Sequence, residues 1–387
     1  MYDLVWLLLP VAAVSGWALA RRDARGRAAA VPSLSSDYFI GLNYLVNEQP
    51  DKAIECFVRM LEVDSDTVEI HLAVGNLFRQ RGEVDRAIRI HQNLISRSTL
   101  SKQQRAQALL ELALDYMRAG LFDRAESLCQ ELIGMEARTG RALSLLSDIY
   151  QQEKEWNQAI AVTRRLQHKT GQPMGQAIAQ FYCELAEDAR AAGEFGEARE
   201  RLAEALETDP KCVRASMIKG EMAAAAGEHR EAIRAYQQVE QQDPAYLPEV
   251  IPGLVQSYLR CDARQELMDY LTRVFEERGG ISVLLALVEQ IEQQRGREQA
   301  LDFLRRHLHD YPSLRGAAQL LKMDLERGGD SEHDTLALLN QTITQALEEK
   351  PVYQCTQCGF AGRVLHWHCP GCKRWNTAKP IHGLEGE

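Results

Sequence analysis

Residues 220–244 read GEMAAAAGEHREAIRAYQQVEQQDP, and this stretch decides how most of the chain folds. A small residue stands at 220, a glycine at 227, an alanine at 232, an aromatic residue at 236 and a proline at 244, and the same frame returns along the chain. Its marker position is taken by Ala53, Ala87, Ala125, Ala159, Ala198, Ala232, Glu266 and Ala300, at intervals of 34, 38, 34, 39, 34, 34 and 34 residues. Gly82, Gly120, Gly193 and Gly227 lie five residues before the marker, where a first helix ends and a glycine can adopt the left-handed cap conformation. Pro210, Pro244 and Pro312 lie twelve residues after it, where a second helix must stop. Twelve before it come Gly41, Gly75, Ala113, Ser147, Ala186 and Gly220, small enough for two helices to approach closely. Tyr44, Phe78, Tyr116 and Tyr150, nine before, and Phe57, Leu202, Tyr236 and Leu304, four after, fill the space between those helices.

A helix-turn-helix unit of 34 residues is the tetratricopeptide repeat, here with insertions of four and five residues at two junctions. One such unit cannot bury its own apolar face, so neighbours stack into a superhelical solenoid with a free concave surface. The fold class expected over residues 37–348 is therefore all-α, a tetratricopeptide-repeat solenoid. Its seventh and eighth units are degenerate, and residues 316–348 form a last helical pair that caps the array. First-helix positions flanking the small residue are predicted to line the groove: Tyr38, Leu42 and Leu45; Leu72, Asn76 and Arg79; Leu110, Leu114 and Met117. Each of them also suits plain packing or exposure, and no full basic clamp for a terminal carboxylate can be assembled from them.

The two ends of the chain have other roles. Residues 4–20, LVWLLLPVAAVSGWALA, are uncharged and mostly apolar, and Arg21, Arg22, Arg25 and Arg27 follow at once. Seventeen residues lie at the short end of what spans a bilayer. A cleaved signal would place its positive charge before the apolar core, whereas here only Asp3 precedes it. Residues 1–20 thus read as a retained single-pass anchor with the amino terminus outside and the rest of the chain cytoplasmic. Residues 21–36 form a basic juxtamembrane segment and linker.

At the other end, Cys355-Thr-Gln-Cys358 and Cys369-Pro-Gly-Cys372 face one another across ten residues. Four thiolates at that spacing close a tetrahedral metal site, so Cys355, Cys358, Cys369 and Cys372 are the predicted ligands of one iron or zinc ion. Gly359 and Gly371 fall where such turns tolerate unusual dihedrals. His366 and His368 are surplus to a four-coordinate ion. Residues 351–382 hold too few apolar groups to fold by burial alone, so the ion supplies much of the module's stability. Because this module follows Lys350-Pro351 without a long linker, it is expected to dock on the array.

The net charge is −10, with +2 on residues 1–27 and hence −12 on the remainder, which argues against general nucleic-acid binding. Cys56, Cys129, Cys183, Cys212 and Cys261 are scattered singly through helical sequence and read as reduced core thiols. Nucleophile elbow, phosphate loop, zinc-protease and dinucleotide motifs are all absent, so the chain is read as a binding protein and not an enzyme.

The anchor MYDLVWLLLPVAAVSGWALARRD, the repeat array and the terminal CTQCGF…WHCPGCKRWNT, taken in that order, resemble the lipopolysaccharide assembly protein B family (LapB, also called YciM) of Gram-negative bacteria, over essentially the whole chain. The last module resembles that family's rubredoxin-type metal domain, with the four cysteines matching its ligands. Its loop between knuckles is shorter than in a free-standing rubredoxin, which favours a structural ion over electron transfer. The resemblance implies an inner-membrane protein with a periplasmic amino terminus. It also implies an adaptor role, promoting degradation of the deacetylase LpxC by the membrane protease FtsH and gathering other lipopolysaccharide enzymes. Two other classes stay open on the residues alone: a metal-ribbon protein that binds nucleic acid, and a membrane-tethered redox protein.

Overall fold

The computed structural model describes residues 36–47, 49–63, 68–326 and 333–387. The anchor read at residues 1–20 and the basic segment after it lie outside the described residues, as do the side chains of the groove positions Tyr38, Leu42 and Leu45. Among the described residues no helix is long and apolar enough to cross a membrane. They form eighteen α-helices, one 3-10 turn and three short strands, a mostly helical repeat fold ending in a small ribbon.

The described residues divide into two compact units, one ending at residue 149 and the other beginning at residue 150. The first holds α1 (Ser36–Val46), α2 (Pro50–Val63), α3 (Val68–Gln80), α4 (Val84–Ile95), α5 (Lys102–Arg118), α6 (Phe122–Gly134) and most of α7 (Thr139–Gln152). The second continues with α8 (Trp156–Thr170), α9 (Gly175–Ala191), α10 (Phe195–Thr208), α11 (Val213–Ala225), α12 (His229–Gln242), the 3-10 turn Pro244–Tyr246 and α13 (Leu247–Arg260). It ends with α14 (Arg264–Arg278), α15 (Ile281–Arg295), α16 (Arg297–Asp310), α17 (Leu314–Leu325), α18 (His333–Glu349) and the strands β1 (Tyr353–Cys355), β2 (Ala361–Gly362) and β3 (Ala378–Pro380).

The repeating frame has a direct physical basis in both units. The marker alanine is the fourth residue of each second helix, and Ala53, Ala87, Ala125, Ala159, Ala198, Ala232 and Ala300 are all fully buried. The residue four further on packs against the small residue of the first helix. A Cβ added at Gly41 would lie 2.6 Å from the Phe57 ring, and Gly220 and Gly253 close on Tyr236 from the two neighbouring helices. The glycines before the marker have positive φ, as a left-handed cap requires.

The seventh unit departs from the predicted frame. Glu266 is exposed and pairs with Arg230 at 2.6 Å, while the fourth residue of α14 is Leu267, fully buried. The unit has therefore slipped by one residue, and a leucine fills the place that alanine holds elsewhere. Its left-handed turn falls at Asp262 (φ +54°), five residues before Leu267, and the fourth unit uses Lys154 (φ +58°) in the same way. Neither turn carries the glycine by which the others were recognised.

Candidate metal centre

The ribbon is a three-stranded antiparallel sheet in the order β2-β1-β3, with Tyr353 opposite both Gly362 and Pro380. Its two knuckles have matching backbones. The Cys355 N–H donates to the Phe360 carbonyl at 2.7 Å and the Gly359 N–H to the Cys355 carbonyl at 3.0 Å. In the second knuckle the Cys369 N–H donates to Arg374 and the Lys373 N–H to Cys369, each at 2.9 Å. The left-handed residue is the one after the second cysteine in both, Gly359 (φ +76°) and Lys373 (φ +57°). Gly371 does not have the positive φ expected of it. It is small for want of room, since a Cβ there would lie 3.1 Å from Cys358 Sγ.

These turns bring the four cysteine sulfurs within 4.8 Å of one another. Cys355 and Cys372 are 3.8 Å apart, Cys358 and Cys369 3.7 Å. Disulfides would hold them at about 2.05 Å, whereas sulfurs at about 2.3 Å from a shared tetrahedral ion are separated by about 3.8 Å. The donor set therefore fits one tetrathiolate ion. Thr377 Oγ1, 3.3 Å from Cys355 Sγ, together with the Cys358 and Gln357 N–H groups, draws the Cys355 thiol down to about 6. Cys358, though exposed, receives the Phe360 N–H, which favours its thiolate, but partial loss of hydration and the neighbouring cysteines outweigh this and hold it up at about 11. A second thiolate in so tight a cluster needs a cation beside it. His366 meets the edge of Phe360 and His368 stacks on Trp375 at 4.5 Å, so both histidines are engaged by aromatic rings.

The expected docking is present, and two tryptophans carry it. Trp375 meets Trp156 and Phe181 edge-on, at centroid distances of 6.3 and 5.7 Å, and its Nε1–H donates to Gln151 Oε1 at 2.8 Å. Trp367 stacks on Tyr246 at 5.3 Å and has the Arg214 guanidinium 6.0 Å from its ring. The Tyr246 hydroxyl, fully buried, donates to the Ala378 carbonyl at 2.8 Å and lies 3.0 Å from Asn376 Oδ1. Tyr353 donates to Glu249 at 2.8 Å, and Lys379 pairs with Asp243 at 2.7 Å. Charge assists the contact, because residues 351–382 contain four basic side chains and no acidic one, against an acidic array. Phe181 and Arg214 lie in the first helices α9 and α11 and Tyr246 in the 3-10 turn before α13, so within residues 150–387 the ribbon packs against the first-helix side of these repeats.

Residues 353–380 match the family described as rubredoxin metal binding domain, and residues 40–95, 110–173 and 183–246 match the tetratricopeptide repeat. Over the full length of both chains the protein is 39% identical to lipopolysaccharide assembly protein B of Escherichia coli strain K12. It is 33% identical to the Haemophilus influenzae protein of the same name, again over all of both chains. The chain belongs to the lipopolysaccharide assembly protein B family. Its rubredoxin-type ribbon, with four clustered cysteines, is a metal-ion module.

Two of the predicted groove positions have other work. The Arg79 guanidinium pairs with Glu111 and Asp115, each at 2.7 Å, and donates to Asn76 Oδ1 at 2.7 Å. Asp115 in turn holds the buried His91 ring at 2.5 Å, so Arg79 and Asn76 complete a polar network between helices. Leu110 is core, while Leu72, Leu114 and Met117 are half-buried. The receptor for the ribbon, namely Trp156, Phe181, Arg214 and Tyr246, was not singled out from the sequence. The available signal was on the ribbon, where Trp367 and Trp375 sit in a module too small to bury them.

Proposed function

We propose that this chain is an inner-membrane-anchored, cytoplasmic adaptor that regulates lipopolysaccharide synthesis by presenting the deacetylase LpxC to the membrane protease FtsH. The observation that carries the reading is kinship with lipopolysaccharide assembly protein B along the whole chain, repeats and ribbon included. Residues 1–20 act as the anchor and raise the effective concentration of a bound substrate beside a membrane protease. The repeats supply binding surface and no catalytic group. In this reading Cys355, Cys358, Cys369 and Cys372 hold one zinc or iron ion, which supplies the folding free energy that so small a ribbon lacks. The folded ribbon in turn fixes the first-helix face of the second unit through Trp367 and Trp375.

Depleting the protein tests this directly. LpxC should become long-lived and lipopolysaccharide should rise, and re-supply of the intact chain should restore turnover. A chain lacking residues 1–27, or one lacking the four ribbon cysteines, should fail to restore it at equal abundance. An LpxC half-life that does not change on depletion would sink the proposal.

A further inference from the structure

Cys183 lies in α9 and Cys212 immediately precedes α11, and their sulfurs approach to 3.7 Å. Both are buried, at 0% and 1% exposure, and neither takes part in the metal cluster. The surroundings of the two sulfurs differ. Cys212 occupies the N-cap of α11, Gln180 Nε2 lies 3.7 Å from its sulfur, and Arg214, itself 4% exposed, stands two residues on. A helix amino terminus and a neighbouring arginine are the surroundings that favour a thiolate. The Cys183 thiol, the Ala215 N–H and the Arg214 charge draw Cys212 below its ordinary value against the effect of burial. Burial pushes Cys183 well up. One sulfur is thus prepared as a nucleophile and the other is held as a thiol within reach of it.

We propose that Cys183 and Cys212 are a thiol–disulfide couple, with Cys212 as the attacking sulfur and a peroxide as oxidant. The Cys212 thiolate attacks one peroxide oxygen and breaks the O–O bond. Cys212 becomes a sulfenic acid, and the departing oxygen leaves as water after taking up a proton. The Cys183 sulfur then attacks Cys212 Sγ, the S–O bond breaks, and a second water leaves. Two thiols and one hydrogen peroxide give one disulfide and two waters, the thiols losing the two electrons that the peroxide gains. The sulfurs need close by only about 1.6 Å to reach bonding distance. At 0% and 1% exposure the site excludes bulky disulfide reagents, which leaves a small peroxide as the oxidant class.

The couple lies in the two segments that receive the ribbon. Phe181, two residues before Cys183, meets Trp375, and Arg214, two residues after Cys212, meets Trp367.

The test treats full-length, detergent-solubilised protein with hydrogen peroxide, blocks remaining thiols, and maps cysteines by mass spectrometry. Cys129 is the internal reference, since it is buried and its thiol is pushed up to about 12 by burial and Glu126. A peptide joining Cys183 to Cys212, lighter by two hydrogens and reversed by reductant, is expected in the parent protein. In Cys183→Ala, dimedone should trap a sulfenic acid at Cys212 about tenfold faster than at Cys129, because thiolate character sets the rate. In Cys212→Ala, Cys183 should remain a thiol. Failure of the parent protein to form the linked peptide while both cysteines over-oxidise separately would overturn the couple. So would labelling of Cys212 no faster than Cys129.

Discussion

Replacing Tyr246 by phenylalanine isolates the one hydroxyl that joins array and ribbon at their most buried contact. The ring stack on Trp367 at 5.3 Å survives the change. What is lost is the hydrogen bond to the Ala378 carbonyl at 2.8 Å and the approach to Asn376 at 3.0 Å, at a residue with no exposure to solvent. A buried hydrogen bond contributes about 1 kcal/mol net, and an acceptor left without a partner costs more, so the expected loss of docking free energy is about 1–2 kcal/mol. That corresponds to roughly a 5- to 30-fold rise in the fraction of molecules with the ribbon released. Amide hydrogen exchange reads it out through ribbon bonds such as the Asn376 N–H to Trp367, and chelator-driven metal loss reads it out independently. Both rates should rise by that factor while exchange in α9 and α11 stays at parent levels. If ribbon exchange and metal loss remain within about twofold of the parent, the net worth assigned to a buried hydrogen bond does not apply here, and the ribbon is held by ring packing alone.

Three further outcomes are expected. Cys355→Ser or Cys369→Ser should lose the ion and unfold residues 351–382, whereas His366→Ala should keep it; metal content and exchange of the ribbon amides decide, and metal loss in the histidine variant alone would overturn the ligand set. Gly220→Ala places a methyl group against the Tyr236 ring, which Gly253 confines from the other side, and should cost about 1–3 kcal/mol. A thermal midpoint equal to the parent's would mean that the two helices can separate freely. Glu240 is held below its ordinary value of 4.5 chiefly by the Arg273 hydrogen bond, so its contribution is present above that value and lost as pH falls through the lowered folded one. Glu240→Gln should therefore flatten the acid limb of urea stability below pH 4.5, and an unchanged slope would exclude Glu240 as a source of that limb.

Much of the candidate site was legible because its chemistry is local. Two cysteines with two residues between them can face one ion through a single turn, whereas the 3.8 Å from Cys355 to Cys372 and the 3.7 Å from Cys358 to Cys369 join the two knuckles and depend on how the ribbon folds them together. Groove residues were less legible. Arg79 is a free cation in the sequence and part of a closed network in the fold, because Glu111 and Asp115 reach it from 32 and 36 residues away.

By itself, the sequence determined the repeat period, the alanine that each second helix buries, the small residues facing Phe57 and Tyr236, and the tetracysteine knuckles. All of these depend on helical periodicity and steric size within a few turns, which a chain carries in its own spacing. Only the tertiary structure decided the one-residue slip that puts Leu267 in place of Glu266, and the left-handed turns at Lys154 and Asp262. In those turns neighbouring helices impose a backbone that the residue type does not announce. It alone decided that Trp375 enters Trp156 and Phe181, that Tyr246 receives Trp367 from 121 residues away, and that Cys183 meets Cys212. Such meetings link segments with no common period, and burial of aromatic surface selects them only after the helices have stacked.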